Sequence, residues 1–109
     1  MINAVTIALD LATIDPALPV RLLNGPLEPG VSRQVPGGLM AFQSSILSTS
    51  AAEPSVYRFI VQLGSAQGAT MLGTWLFTEL RDAAVALWFN GFSVPVDHTS
   101  ILKAVRQAA

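Results

Sequence analysis

The sequence predicts an α+β domain, an antiparallel sheet of about five strands with a C-terminal helix, and three observations carry that expectation. Val5, Ile7, Leu9 and Leu11 alternate with small or polar residues, and Tyr57, Phe59, Val61 and Leu63 alternate with Arg58, Ile60 and Gln62. That period of two marks half-buried strands. Asn90-Gly91 stands between alternating apolar runs, and Asn-Gly is the favoured two-residue hairpin turn. Asp97 precedes Ile101, Leu102, Val105 and Ala108, a cap residue followed by the apolar stripe of a helix.

The chain of 109 residues suffices for one compact core, and we read residues 1–109 as a single domain. Hydrophobic residues make up 51% and charged residues only 12%, against roughly 25% charged in average domains. Thirteen charged side chains leave much of the exterior to small polar and apolar groups. Such a surface points to burial against other chains. The net charge of −1 argues against a strong positive field for nucleic acid, though not against a local polar face. The absence of cysteine excludes disulfides and thiolate chemistry, and His98 is the only histidine, so no cofactor or metal site is expected. The opening Met-Ile-Asn-Ala-Val-Thr-Ile lacks the basic and continuous apolar regions of a secretory signal. Phe59 to Thr78 has no charge but carries three glycines, two glutamines, a serine and three threonines, too polar for a membrane span.

After the first strand, Asp15-Pro16 and Pro19 mark a turn, and Val20 to Leu23 reads as a short second strand ended by Asn24-Gly25-Pro26. From there to Gly38, prolines and glycines predict loop or short strand pieces. Leu39 to Ser48 fits a helix face through Leu39, Phe42, Ile46 and Leu47. It fits a strand face equally, through Met40, Phe42, Ser44 and Ile46. A loop around Glu53-Pro54 leads to the strand Tyr57 to Leu63.

Gly64 to Asp82 admits two readings. Met71, Leu72, Trp75, Leu76 and Leu80 have helical spacing, with Gln67, Thr70, Thr74, Thr78 and Arg81 as a polar seam. Gly68 and Gly73 weaken a helix, and Thr, Trp and Phe suit strands. Val85, Leu87 and Phe89 then meet Phe92, Val94 and Val96 across Asn90-Gly91. A two-residue turn would set all six on one face, and the alternative is one long strand with a bulge at Gly91. Pro95 confines its strand to an edge or an end.

No constellation here suggests catalysis. Asp97, His98 and Ser100 open a helix and point in different directions, so they read as a cap with an exposed histidine. Gly64-Ser65-Ala66-Gln67-Gly68 matches neither phosphate-binding glycine motif, and Thr74 stands where a P-loop needs lysine. Glu79 and Asp82 beside Arg81 read as a solvated patch. The aromatic residues are mostly core by their spacing. Arg58 and Gln62, with Ile60, project from the strand face opposite the apolar one. Gln43 and Ser45 extend that face if the two middle strands pair, and such an open sheet surface suits looped or single-stranded RNA.

The order of these pieces resembles the coat proteins of single-stranded RNA bacteriophages. The likeness runs through Val5 to Leu11, the short element near Pro19-Val20, the hairpin-like pair Leu39 to Ser48 and Val56 to Leu63, and the end. There Phe92-Ser93-Val94-Pro95-Val96 leads through a polar cap into Ile101-Leu102-Lys103-Ala104-Val105. The resemblance implies a five-stranded antiparallel sheet that dimerises through sheet and helix into a continuous ten-stranded sheet, with the C-terminal helix crossing the partner. Dimers would build an icosahedral shell around RNA. It also implies RNA contact at Gln43, Ser45, Arg58, Ile60 and Gln62, and a loop over Gly64 to Thr74 at the symmetry axes.

The expected function is therefore a non-enzymatic, self-assembling coat subunit, assembled in the bacterial cytoplasm and located in the virion. Its partners would be its own copies and RNA, with no membrane and no small-molecule substrate. Two alternatives stand beside it. One is a small bacterial or phage protein-interaction module, an inhibitor or defence accessory, with a central helix over 65–82 and a hairpin over 84–96. The other is a small ligand-binding domain or enzyme using the Gly64 to Gly68 loop.

Overall fold

The structure is a computed structural model that describes residues 5–108. The reading of the first four residues against a secretory signal, and Ala4 in the opening alternation, lie outside the described residues. Strands β1 (Val5–Thr13), β2 (Ser32–Val35), β3 (Gly38–Ile46), β4 (Ser55–Leu63), β5 (Ala84–Phe89) and β6 (Phe92–Ser93) form one antiparallel sheet. Helices α1 (Ala17–Leu23), α2 (Ala66–Leu80) and α3 (His98–Ala108) complete the α+β fold. The strand order is β2-β3-β4-β1-β5-β6. Its middle four strands, with helical connections after β1 and β4, have the βαββαβ connectivity called ferredoxin-like.

The two alternating strands stand as predicted and pair in full register from Val5↔Leu63 to Thr13↔Ser55. Their odd-numbered residues Ile7, Leu9, Leu11, Phe59 and Val61 are buried, joined by Met40, Phe42, Leu87 and Phe89. The helices supply the other half of the core through Leu18, Leu22, Leu72, Leu76, Leu80, Ile101 and Val105. Phe42 and Phe59 meet edge to face at 5.7 Å between ring centroids. The molecule measures 46 × 28 × 21 Å, a single sheet with a single layer of helices.

Two expectations change, and one open reading is resolved. Val20 to Leu23 is the end of α1, not a strand. Pro16 sits at the N-cap with φ −67°, Pro19 falls in the first turn where its missing N–H costs nothing, and Asn24 ends the helix at φ 54°. Leu18, Leu22 and Leu23 then share the buried side, a helical spacing that four residues alone could not display. Leu39 to Ser48 is resolved as strand β3. Gly64 to Thr74 is not a loop, because α2 begins at Ala66 with the Ser65 hydroxyl accepting from the Gly68 N–H at 3.2 Å. Gly68 and Gly73, which count against a helix by propensity, are contact points. A Cβ on Gly68 would stand 2.5 Å from the Gly37 carbonyl oxygen, and one on Gly73 2.8 Å from Leu102 of α3. The C-terminal helix packs on its own chain, with Ile101 and Val105 fully buried.

The hairpin reading of Asn90-Gly91 holds. Both residues have positive φ, 52° and 85°, as a type I′ turn requires, and Phe89 pairs with Phe92. Of the six apolar side chains flanking it, Leu87 and Phe89 are buried, Val94 and Val96 half-buried, and Val85 and Phe92 exposed. Asp97 caps α3 as expected, its carboxylate accepting from the Ser100 N–H at 2.8 Å and hydroxyl at 2.9 Å. Among the described residues no helix is long and apolar enough to cross a membrane.

Candidate interaction face

All three helices lie on the side of the sheet to which the core residues point, and the other side carries no cover. Strand registers define what that bare side presents. One row runs Leu39–Gln62–Thr6, the next Ala41–Ile60–Ala8, a third Ser44–Arg58–Asp10–Trp88–Ser93, and a fourth Ile46–Val56–Ala12–Ala86. Most of these side chains are apolar or small. Only Asp10 and Arg58 are charged, and the other eleven charged residues lie on helices, in loops or, for Arg33, on the covered side.

Asp10 and Arg58 are cross-strand neighbours, and their side chains close a two-pronged ion pair. The Arg58 Nε donates to Asp10 Oδ1 at 2.7 Å and a terminal nitrogen to Oδ2 at 2.9 Å. The hydrogen bond to Asp10, and next its negative charge, raise the guanidinium pKa above its ordinary value. Asp10 is only 14% exposed in its side chain and Arg58 47%, so the carboxylate is sunk in the face and the guanidinium lies across it.

Of the residues singled out for RNA, Arg58, Ile60 and Gln62 project from this face as read. Gln43 and Ser45 are affected by a bulge. The register passes from Phe42↔Phe59 to Ser44↔Arg58, so Gln43 and Ser44 together oppose Arg58. Ser44 thereby takes the place predicted for Ser45, which instead pairs with Tyr57, a residue of the covered side. Strict alternation from Phe42 could not reveal one inserted residue. Asp10, Ser44 and Trp88 were missed. Asp10 is the lone charge in the first alternating run, which was the available signal once β1 is set beside β4. Trp88 belongs to the even positions of its strand and is half-buried on the bare face, not in the core.

The other candidate sites are accounted for locally. The Asp97 carboxylate is held by Ser100, while His98 Nε2 lies 3.2 Å from Thr74 Oγ1 and its ring stacks near Phe77. Serine, histidine and aspartate form no relay. The Ser65 hydroxyl already occupies the start of α2. Arg33 donates to the Leu22 carbonyl at 3.2 Å and lies 5.6 Å over the Trp75 ring, which covers that aromatic. Arg81 and Asp82 form an exposed ion pair at 3.5 Å. Among the described residues, no group of three or more histidines and carboxylates could hold a metal ion.

No family model, curated protein or solved structure matches the chain.

Proposed function

We propose that this chain is a non-catalytic structural subunit that assembles with copies of itself. The observation that carries the reading is the spread of its exposed apolar side chains. Ile46 and Leu47 at the β3–β4 connection are 75% and 66% exposed, Phe92 on the hairpin 76%, and Met71 on the outer side of α2 57%. These positions lie on different sides of the domain, and a subunit that meets several neighbours needs several such contacts. In its most specific form the reading is a coat subunit of the single-stranded RNA phage kind, building a shell around RNA.

A second reading is a protein-interaction module, and one observation favours it. Helix Ala66–Leu80 and the hairpin of β5 and β6 lie where that alternative needs a helix over 65–82 and a hairpin over 84–96. The two readings separate by size-exclusion chromatography with light scattering after bacterial expression, with absorbance at 260 and 280 nm. A megadalton, nuclease-resistant particle carrying RNA would support the coat subunit. A discrete RNA-free oligomer would support self-assembly without a genome. A monomer at every concentration would sink self-assembly and leave the interaction module.

A further inference from the structure

We infer that the bare face of the sheet is the contact between two copies of this chain, packed face to face about a two-fold axis near Asp10 and Arg58. This rests on the self-assembly reading and assigns it a surface.

The relief of the face is self-complementary. The central strand β1 presents Ala8 and Ala12, which make a furrow. The strands on either side, β4 and β5, raise Ile60 and Trp88 as ridges. Facing sheets pack about 10 Å apart and must fill that gap with side chains from both. Furrow on furrow would leave a void, whereas a two-fold axis seats each copy's Ile60 over the other's Ala8. Residue i then meets residue j twice, as an isologous contact demands.

Charge permits the same pairing. Asp10 and Arg58 neutralise each other within one chain, so two faces meet without like-charge repulsion. The two-fold axis turns one copy's Asp10 toward the other's Arg58. RNA finds less here. Arg58 is the one cation on this face among the described residues, and a phosphate would have to displace Asp10 from it.

Area and edges agree. Three strands of nine residues, one of six, one of four and one of two, about 4.8 Å apart and rising about 3.3 Å per residue, give roughly 600 Å², three-quarters of the ~800 Å² per partner of a standard interface. Edge pairing offers little by comparison. The outer strands β2 and β6 have four and two residues, and short edges resist strand addition.

The test is the mass of the full chain by light scattering, with Ile60→Glu and, independently, Ala8→Lys in the face, and Val20→Glu at an exposed position of α1 as a control. Circular dichroism checks that each variant is folded. Wild type is expected at a multiple of 11.5 kDa. Each face variant should raise the dimer dissociation constant on the order of a hundredfold or more, because it buries an unpaired charge, and Val20→Glu should leave the dimer intact. A monomeric wild type would overturn both the self-assembly reading and this inference. An oligomer unchanged by both face variants would overturn the inference alone. RNA that co-purifies with wild type and is lost with Ile60→Glu, at unchanged protein mass, would assign the face to RNA and overturn it as well.

Discussion

Gly68→Ala should destabilise this protein even though it replaces glycine by the best helix former. In the helix interior that exchange gains up to about 1 kcal/mol. At Gly68 the new methyl would stand 2.5 Å from the Gly37 carbonyl oxygen and 3.1 Å from the Gly37 Cα. Ordinary contact would require α2 and the β2–β3 turn to separate by about 1 Å. Neither side yields easily. The obstacle is backbone, Gly37 is itself held at φ 84°, and its carbonyl oxygen accepts from the Gly64 N–H at 3.4 Å. Overpacking of this kind costs about 1–3 kcal/mol, so the net loss should be about 1–2 kcal/mol. For a domain of this size that lowers the melting temperature by roughly 5–15 °C.

Gly64→Ala is the internal control. A Cβ there meets nothing within 4 Å and the backbone needs no positive φ, so stability should hold or rise slightly. Thermal and urea unfolding of both variants checks the pair. A Gly68→Ala protein that melts at or above wild type would refute the claim that this glycine exists for close approach.

Three further perturbations test other joints of the fold. Thr13 is 2% exposed, donates to the Ala83 carbonyl at 2.7 Å and accepts from the Asp15 N–H at 3.0 Å. Thr13→Val keeps the shape and should cost about 1–3 kcal/mol in urea unfolding; an unchanged midpoint would mean the links carry no net weight. Gly91→Ala has open space for its Cβ but must adopt φ near 85°, so it should lose about 1 kcal/mol through the dihedral alone, read by melting and by hairpin amide shifts. Hydrogen bonds from the Ser100 N–H, then from its hydroxyl, hold the Asp97 carboxyl below its ordinary pKa. Its folded pKa is thus below the unfolded value of about 3.9. The cap's contribution is complete above that value and is lost as pH falls through the lower, folded one. Amide protection factors in α3 should therefore fall between pH 5 and pH 2 by more in wild type than in Asp97→Asn, and identical profiles would remove Asp97 as the cause.

What was legible in the sequence followed from how far each signal extends along the chain. The strands β1 and β4 each repeat their alternation over seven residues, Val5 to Leu11 and Tyr57 to Leu63, enough to favour a strand. The Asn90-Gly91 turn and the Asp97 cap are local chemistry and were readable for that reason. The failures have other physical origins. Seven-residue α1 is too short for its period to be distinguished from alternation, and its prolines resemble turn punctuation. Helix α2 was ambiguous because Gly68 and Gly73 answer to Gly37 and Leu102, which are remote in sequence. The bulge at Gln43 shifts Ser45 by one position and is set by pairing, which no single strand records. The Asp10–Arg58 pair lies 48 residues apart in the chain and became visible only when β1 and β4 were adjacent.

The low charge of the sequence suggests an exterior that is uniformly poor in charge. The fold distributes it otherwise. Helices and loops carry ten of the thirteen charged side chains, Arg33 of β2 is turned inward, and the bare sheet face keeps two that bind each other. A face left open merely to water would have no reason to be so depleted, because alternation in a one-sided sheet ordinarily ends in charged or polar residues on the wet side. Here the outward positions of the two longest central strands are Thr6, Ala8, Asp10 and Ala12, and Val56, Arg58, Ile60 and Gln62. The composition of that side is closer to an interface core than to a solvated surface. The shortage of charge thus extends to the side of the sheet that no helix covers, which is the side assigned to the second copy.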